Sequence, residues 1–217
     1  MIPYWQKQQL DFKIYVVEQS ENTTFNRAKL FNVGYDIAKN DPILNYDCYT
    51  FHDVDLFPEN EAIVDYHCKD HPGRHISAAW KRKPDWKNYE HYPVCFGGVS
   101  QVTENGFEQV NGFSNLFWGW GGEDDNLRFR LQGLGKDSII FENHELYKFA
   151  MYPHDREESN EKPDEKFQQY LIRSSPRDWD GLKQLRQAGY KLLAQESFNC
   201  FEKFTVDIGT KVADGLF

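Results

Sequence analysis

The sequence predicts an α/β fold in one domain, and three observations predict it. Short β-branched and aromatic runs alternate with stretches of helical apolar spacing, the signature of strands and helices taken in turn. At 217 residues, with 40% hydrophobic and 16% aromatic side chains, the chain can bury a sizeable core. No internal repeat, low-complexity tract or linker-like segment divides it, so residues 1–217 read as one unit.

The elements follow in order. Residues 12–17 (Phe-Lys-Ile-Tyr-Val-Val) read as a strand. A helix is expected from Asn26 to Asn40, with Leu30, Val33 and Ile37 on one face. Cys48–Phe51 is a second strand that runs into His52-Asp53-Val54-Asp55-Leu56. Arg74 to Trp80 and Val94 to Ser100 are strand-like, and Gly97-Gly98 marks a close backbone approach. Glu104 to Val110 and Glu123 to Leu131 are helical, the second stopped near Gly133 and Gly135. Ser138 to Phe141 and Tyr147 to Met151 are short strands. Residues 152–169 are strongly polar and read as a mobile loop. A helix over Trp179 to Ala188 and closing strands over Tyr190 to Asp207 complete the order. Met1-Ile2-Pro3-Tyr4-Trp5-Gln6 looks like an entry in mid-domain.

Composition narrows the function. A net charge of −9 disfavours broad attraction to nucleic acid. No apolar run reaches the length of a membrane span, and no signal-peptide pattern opens the chain. Cys48, Cys68, Cys95 and Cys200 match no zinc spacing, while Cys48 and Cys68 flank a short loop and can pair in an oxidising compartment. Asn22-Thr23-Thr24 is an N-glycosylation sequon and points weakly the same way.

Two acidic motifs carry the chemistry. In Phe117-Trp118-Gly119-Trp120-Gly121-Gly122-Glu123-Asp124-Asp125, flat indole faces stand beside clustered carboxylates. That combination suits a sugar, whose C–H face stacks and whose hydroxyls hydrogen-bond. The plainer explanation is a tight glycine turn into a helix with an acidic first turn. Asp53-Val54-Asp55 leaves the C-terminal end of a strand, where ligands of α/β sheets collect. On an extended backbone its two carboxylates face one side and suit a hard divalent cation. Asp-x-Asp is also common in ordinary surface turns.

Taken together and in order, these segments resemble the β-1,4-galactosyltransferases and their N-acetylgalactosaminyltransferase relatives. The likeness also covers Phe25-Asn26-Arg27-Ala28-Lys29-Leu30, Arg74-His75-Ile76-Ser77, Phe96-Gly97-Gly98-Val99-Ser100 and Asn111-Gly112-Phe113. Met151-x-x-His154 and Thr205-Val206-Asp207-Ile208-Gly209-Thr210 complete it. It runs over nearly the whole chain in collinear order. The resemblance implies the Rossmann-like GT-A fold of nucleotide-sugar transferases and an inverting, Mn²⁺-dependent transfer. Galactose or N-acetylgalactosamine would pass from UDP-Gal or UDP-GalNAc to the 4-OH of a terminal GlcNAc.

The resemblance also assigns roles. Asp55, Met151 and His154 would be the metal ligands. Asp53 and Val54 would touch the donor, and Phe25 and Arg27 the nucleotide. Trp120 would pack on the sugars, and Glu123 and Asp124 would bind hydroxyls, with Asp124 as the base. Asp125, Tyr92 and Phe167 would line the acceptor site, and Cys48–Cys68 would be a disulfide. Like charges at Glu123 and Asp125 should make Asp124 the better proton acceptor. The polar loop bearing His154 would close as a lid and exclude water. Location would be the Golgi lumen, with membrane attachment only through an anchor absent from this chain.

Two departures from the family pattern matter. The family's first strand, with its Ile-Pro-Phe-Arg-Asn-Arg-like segment, has no counterpart before residue 1. The chain therefore reads as an N-terminally truncated catalytic domain lacking a neighbour for residues 12–17, with low stability and weak UDP affinity expected. Where galactose-specific members carry tyrosine before Phe-Gly-Gly, this chain has Cys95, which leaves room for a donor 2-acetamido group. Two alternatives stand beside the transferase: a non-catalytic carbohydrate-binding relative, and a metal-dependent phosphohydrolase using Asp53, Asp55, Glu123 and Asp124.

Overall fold

A computed structural model describes residues 1–20, 23–60, 62–81, 88–91, 95–152 and 165–210. In chain order these form α1 (Ile2–Lys7), β1 (Tyr15–Gln19), α2 (Arg27–Lys39), β2 (Cys48–His52), β3 (Leu56–Pro58), β4 (Gly73–His75), β5 (Ala79–Lys81) and β6 (Val99–Thr103). They continue with α3 (Glu104–Gln109), α4 (Glu123–Gln132), β7 (Ile139–Phe141), β8 (Lys148–Met151), α5 (Glu165–Ile172), α6 (Gly181–Ala188), β9 (Lys191–Ser197) and β10 (Glu202–Asp207). Strands and helices alternate as the α/β reading expects.

The coordinates divide into two compact units. The first comprises Met1–Phe12, Leu44–Val110 and Leu127–Arg156. It holds two sheets, one in the order β2-β6-β4-β7 and one in the order β3-β8-β5. Its core gathers Tyr4, Leu56, Val64, Tyr66, Ile76, Val99 and Phe149. Of the opening residues, Tyr4 belongs to this core, and Trp5 and Leu10 pack against it. Pro3 lies in the first turn of α1, where its missing N–H costs nothing. Tyr4 is buried and its hydroxyl donates to the Val64 carbonyl. Gln8 Nε2 donates to the same carbonyl at 2.6 Å. The Cys48–Cys68 disulfide ties the start of β2 to the loop that precedes β4, with Cα atoms 5.7 Å apart.

The second unit comprises Lys13–Ile43, Asn111–Asn126 and Glu157–Phe217. Its sheet runs β1-β10-β9, with β1 parallel to β10 and β9 antiparallel to it. β1 pairs with β10 on one side and, among the described strands, is the end strand of this sheet. Leu30 and Val33 of α2 pack with Leu185, Phe204, Val206 and Ile208. Asn26 caps α2, its Oδ1 accepting from Lys29 N at 2.8 Å.

Three local expectations are corrected. The Arg74–Trp80 run is not one strand: Ile76 N and Ser77 N both donate to the Val99 carbonyl, at 2.9 and 3.2 Å, and the doubled pairing separates β4 from β5. The strand expected from Val94 starts only at Val99, because Gly98 has φ +75° and breaks the extended run. Residues 165–169, read as loop, belong to α5, and Asn126 Nδ2 donates to the Leu171 and Ile172 carbonyls at the end of that helix.

Candidate active site

In the first unit, the site residues gather where β2 ends and β3 begins. The Asp53-Val54-Asp55 segment is a tight turn, not extended strand: Leu56 N donates to the Asp53 carbonyl at 3.3 Å. The two carboxylates therefore stand on a turn instead of along one side of a strand. Val54 is at its tip, 96% exposed. Three contacts fix the turn. Asp53 N donates to Gly98 O at 2.9 Å. His52 Nδ1 donates to Asp53 O at 2.7 Å. Tyr152 N donates to Asp55 O at 2.6 Å.

The last contact continues the β3–β8 ladder, in which Leu56 faces Met151. Asp55 thus lies beside Met151-Tyr152, although 96 residues separate Asp55 from Met151 in sequence. The adjacency is one of main chains: the Met151 side chain itself packs against the core that holds Leu56, Ile76 and Phe149. His154 and Tyr92 lie outside the described residues, so the third expected ligand has no described position. Cys95 is half-buried, and Gly97 N donates to its Sγ at 3.4 Å.

Sequence reasoning missed His52. Its ring Nε2 contacts the Tyr66 hydroxyl at 3.0 Å, and the ring stacks on Tyr66 with 6.0 Å between centroids. Burial lowers its pKa, which keeps the imidazole neutral and able to hold the Asp53 carbonyl. The signal was present: a histidine sits directly before Asp-x-Asp at a strand end.

In the second unit, the Trp-Gly-Trp-Gly-Gly motif forms the turn that the glycines imply. Gly119, Gly121 and Gly122 all take positive φ, at +85°, +95° and +93°. Any other residue would be strained there. The turn is pinned by Gly119 N donating to the Phe25 carbonyl at 2.8 Å. Trp120 is left 59% exposed. The chain then enters α4 with Glu123, Asp124 and Asp125 in the first turn, where the helix dipole favours negative charge. Asp125 N donates to Asp124 Oδ1 at 2.8 Å, so the plain helix-start explanation also holds.

Arg27 and Glu123, expected respectively at the nucleotide and at a sugar hydroxyl, meet each other: Arg27 Nη1 donates to Glu123 Oε1 at 3.0 Å. The Arg27 guanidinium also lies over the Phe31 ring, 4.4 Å from its centroid. Burial, with the Asp124 charge beside it, pushes the Glu123 carboxyl up to about 7 despite Arg27. Phe167 falls in α5, and its side chain lies outside the described ones.

Buried asparagines hold this platform. Asn32 Nδ2 donates to Phe113 O and to Asn115 Oδ1, each at 2.8 Å. Asn26 Nδ2 donates to Asn115 O at 2.8 Å. Asn111 Nδ2 reaches the Asp180 carbonyl at 2.7 Å. Asn26 and Asn32 thereby satisfy buried carbonyls of the segment leading to Trp118, and Asn111 satisfies one just before α6.

Comparison with known proteins agrees with this arrangement. Residues 1–69 match the family model for the N-terminal region of glycosyl transferase group 7. Residues 77–155 match the model described as the N-terminal domain of galactosyltransferase. The chain is 42% identical to human β-1,4-galactosyltransferase 4 over 94% of its own length and 56% of that protein. It is 40% identical to human β-1,4-galactosyltransferase 1 over 96% of its length and 50% of the relative. It thus spans about half the length of the curated relatives it matches. Its fold matches the catalytic domain of Drosophila β1,4-galactosyltransferase 7 in complex with xylobiose, with a TM-score of 0.73 and 24% identity over 96% of this chain and 85% of that one. A mutant of that enzyme, which matches equally well, is a complex with manganese, UDP-Gal and xylobiose. With 41% identity to a hamster relative as well, over 97% of its length, the chain belongs to the β-1,4-galactosyltransferase family.

Proposed function

We propose that this chain is the catalytic region of an inverting, Mn²⁺-dependent β-1,4-glycosyltransferase of the Golgi lumen. It moves galactose or N-acetylgalactosamine from the UDP-sugar to the 4-OH of a terminal GlcNAc. The observation that supports the reading is the β3–β8 register, which brings the Asp55 main chain beside Met151-Tyr152 immediately after Asp53-Val54. A cation ligand pair next to a donor-contacting pair is what a UDP-sugar requires.

Asp55, Met151 and His154 would hold the metal. When bound, the ion supplies charge neutralisation on the departing diphosphate. Asp53 and Val54 contact the donor, and Trp120 lies against the sugar faces. Asp124 takes the proton from the acceptor 4-OH. The O4–C1 bond forms as the C1–O bond to UDP breaks on the opposite face, inverting the anomeric centre. One base suffices, unlike the carboxylate pair of a glycosidase. Glu123, with its raised pKa, is protonated for part of the time near neutrality and can then donate to a sugar hydroxyl as well as accept. Cys95, smaller than tyrosine, leaves space for a 2-acetamido group. Asp125, Tyr92 and Phe167 would serve the acceptor, and Phe25 with Arg27 the nucleotide. Arg27 would exchange Glu123 for phosphate or ribose oxygens.

Product analysis tests the reading. With Mn²⁺, UDP-Gal or UDP-GalNAc and a simple GlcNAc acceptor, a β-1,4-linked disaccharide should appear, and UDP release should depend on GlcNAc. Sugar binding without UDP release would instead favour a non-catalytic relative, and GlcNAc-independent UDP release a hydrolase.

A further inference from the structure

The family motif Arg74-His75-Ile76-Ser77 has so far no task in the reaction. Its His75 and Ser77 are 2% and 0% exposed. Both converge on one carbonyl. Gly97 O lies 2.9 Å from His75 Nε2 and 3.0 Å from Ser77 Oγ. A carbonyl only accepts, so the imidazole carries its proton on Nε2. Burial lowers the His75 pKa to about 4, and the ring is neutral at physiological pH. Ser77 Oγ also accepts from Val99 N at 2.8 Å.

The gripped segment has two functional ends. On one side, Gly97 N donates to Cys95 Sγ. On the other, Gly98 O accepts from Asp53 N. Nothing larger than glycine fits between: a Cβ on Gly98 would come within 2.6 Å of Ser77 Oγ and 2.8 Å of Leu56 Cδ1. One buried pair of donors therefore sets the Gly97–Gly98 peptides, and through them both the Asp53 turn and the place of Cys95.

We propose that His75 and Ser77 are positioning residues for donor binding, acting through the Gly97–Gly98 backbone on Asp53 and Cys95. The proposal rests on the transferase reading above. Their loss should weaken donor binding and leave acceptor binding alone, because both ends of the clamped segment belong to the donor side.

The test uses His75→Leu, His75→Gln and Ser77→Ala in the whole chain. It reads UDP affinity in MnCl₂ by calorimetry, the KM values for UDP-Gal and GlcNAc, and the melting temperature. Removing one buried donor should weaken UDP affinity and raise the UDP-Gal KM about tenfold. The GlcNAc KM should hold. His75→Gln, which keeps an N–H donor, should recover most of the loss, a rescue that simple cavity filling would not give. Ser77→Ala and His75→Gln carry the test if His75→Leu does not fold. The proposal fails if Ser77→Ala binds UDP within twofold of the parent. It also fails if donor and acceptor KM rise together, or if His75→Gln is no better than His75→Leu. Failure of the parent chain itself to bind UDP with Mn²⁺ would remove the transferase reading along with this one. A parent that binds, with variants indistinguishable from it, would remove only the clamp.

Discussion

The two acidic turns hold their carboxylates by different means. The Asp53–Leu56 turn is fixed through its backbone: Gly98, His52 and Tyr152 each bond to a main-chain group of Asp53 or Asp55. The Glu123–Asp125 turn is fixed by three positive-φ glycines and a helix start, and one of its carboxylates is paired with Arg27. A turn that presents oxygens to a cation gains from being held by its peptides. A turn that must handle protons gains from a buried acid with a shifted pKa. Under the proposed function, charge neutralisation falls to the first turn and proton transfer to the second.

The largest expected effect breaks the second turn. Asp124→Asn keeps an acceptor oxygen for Asp125 N but removes the base. Turnover should fall about 10³-fold, while UDP affinity in Mn²⁺ stays near the parent value. Steady-state kinetics and calorimetry check both halves.

Arg27→Gln sharpens the assignment further. It removes the positive charge that faces a buried carboxyl, at a cost of about 3 kcal/mol where Glu123 is ionised. The pH dependence has a definite sign. The Glu123 pKa is raised in the folded state, so between about 4.5 and about 7 the folded chain holds more protons than the unfolded one. Its contribution to stability falls as pH rises through that window and is level above it. Removing Arg27 raises the pKa again and carries the fall to higher pH. Chemical denaturation at pH 6 and pH 8 should show the larger Arg27→Gln loss at pH 8, and Glu123→Gln should flatten the parent's decline.

Cys48→Ser acts on the first turn from a distance, since β2 begins at the disulfide and ends at His52. Opening a loop of this length should cost about 3 kcal/mol of stability, read as a lower denaturation midpoint. The smallest effect is on selectivity. Cys95→Tyr should lower the use of UDP-GalNAc relative to UDP-Gal about tenfold, measured as a ratio of kcat/KM values.

Much of this was legible in the sequence, and the exceptions have physical causes. The 3.6-residue spacing of Leu30, Val33 and Ile37 announced α2. The glycines of the Trp-Gly-Trp motif announced a turn because nothing else tolerates that backbone. The Asp55–Met151 adjacency came only through resemblance, since no local pattern encodes a pairing between β3 and β8. β3 itself escaped notice: three residues carry no periodicity. Helix α1 was hidden because its six residues show no repeat, and only tertiary contact reveals that Tyr4 is core. The Arg27–Glu123 pair and the His75–Ser77 grip are long-range side-chain geometry, which spacing along a chain does not contain.

The division of labour between the turns is tested most directly by calorimetric titration of UDP, in MnCl₂, into Asp55→Asn and Asp124→Asn side by side. The account predicts that Asp55→Asn loses Mn²⁺-dependent UDP binding while Asp124→Asn binds like the parent. Equal loss in both variants, or retention in Asp55→Asn with loss in Asp124→Asn, would contradict it.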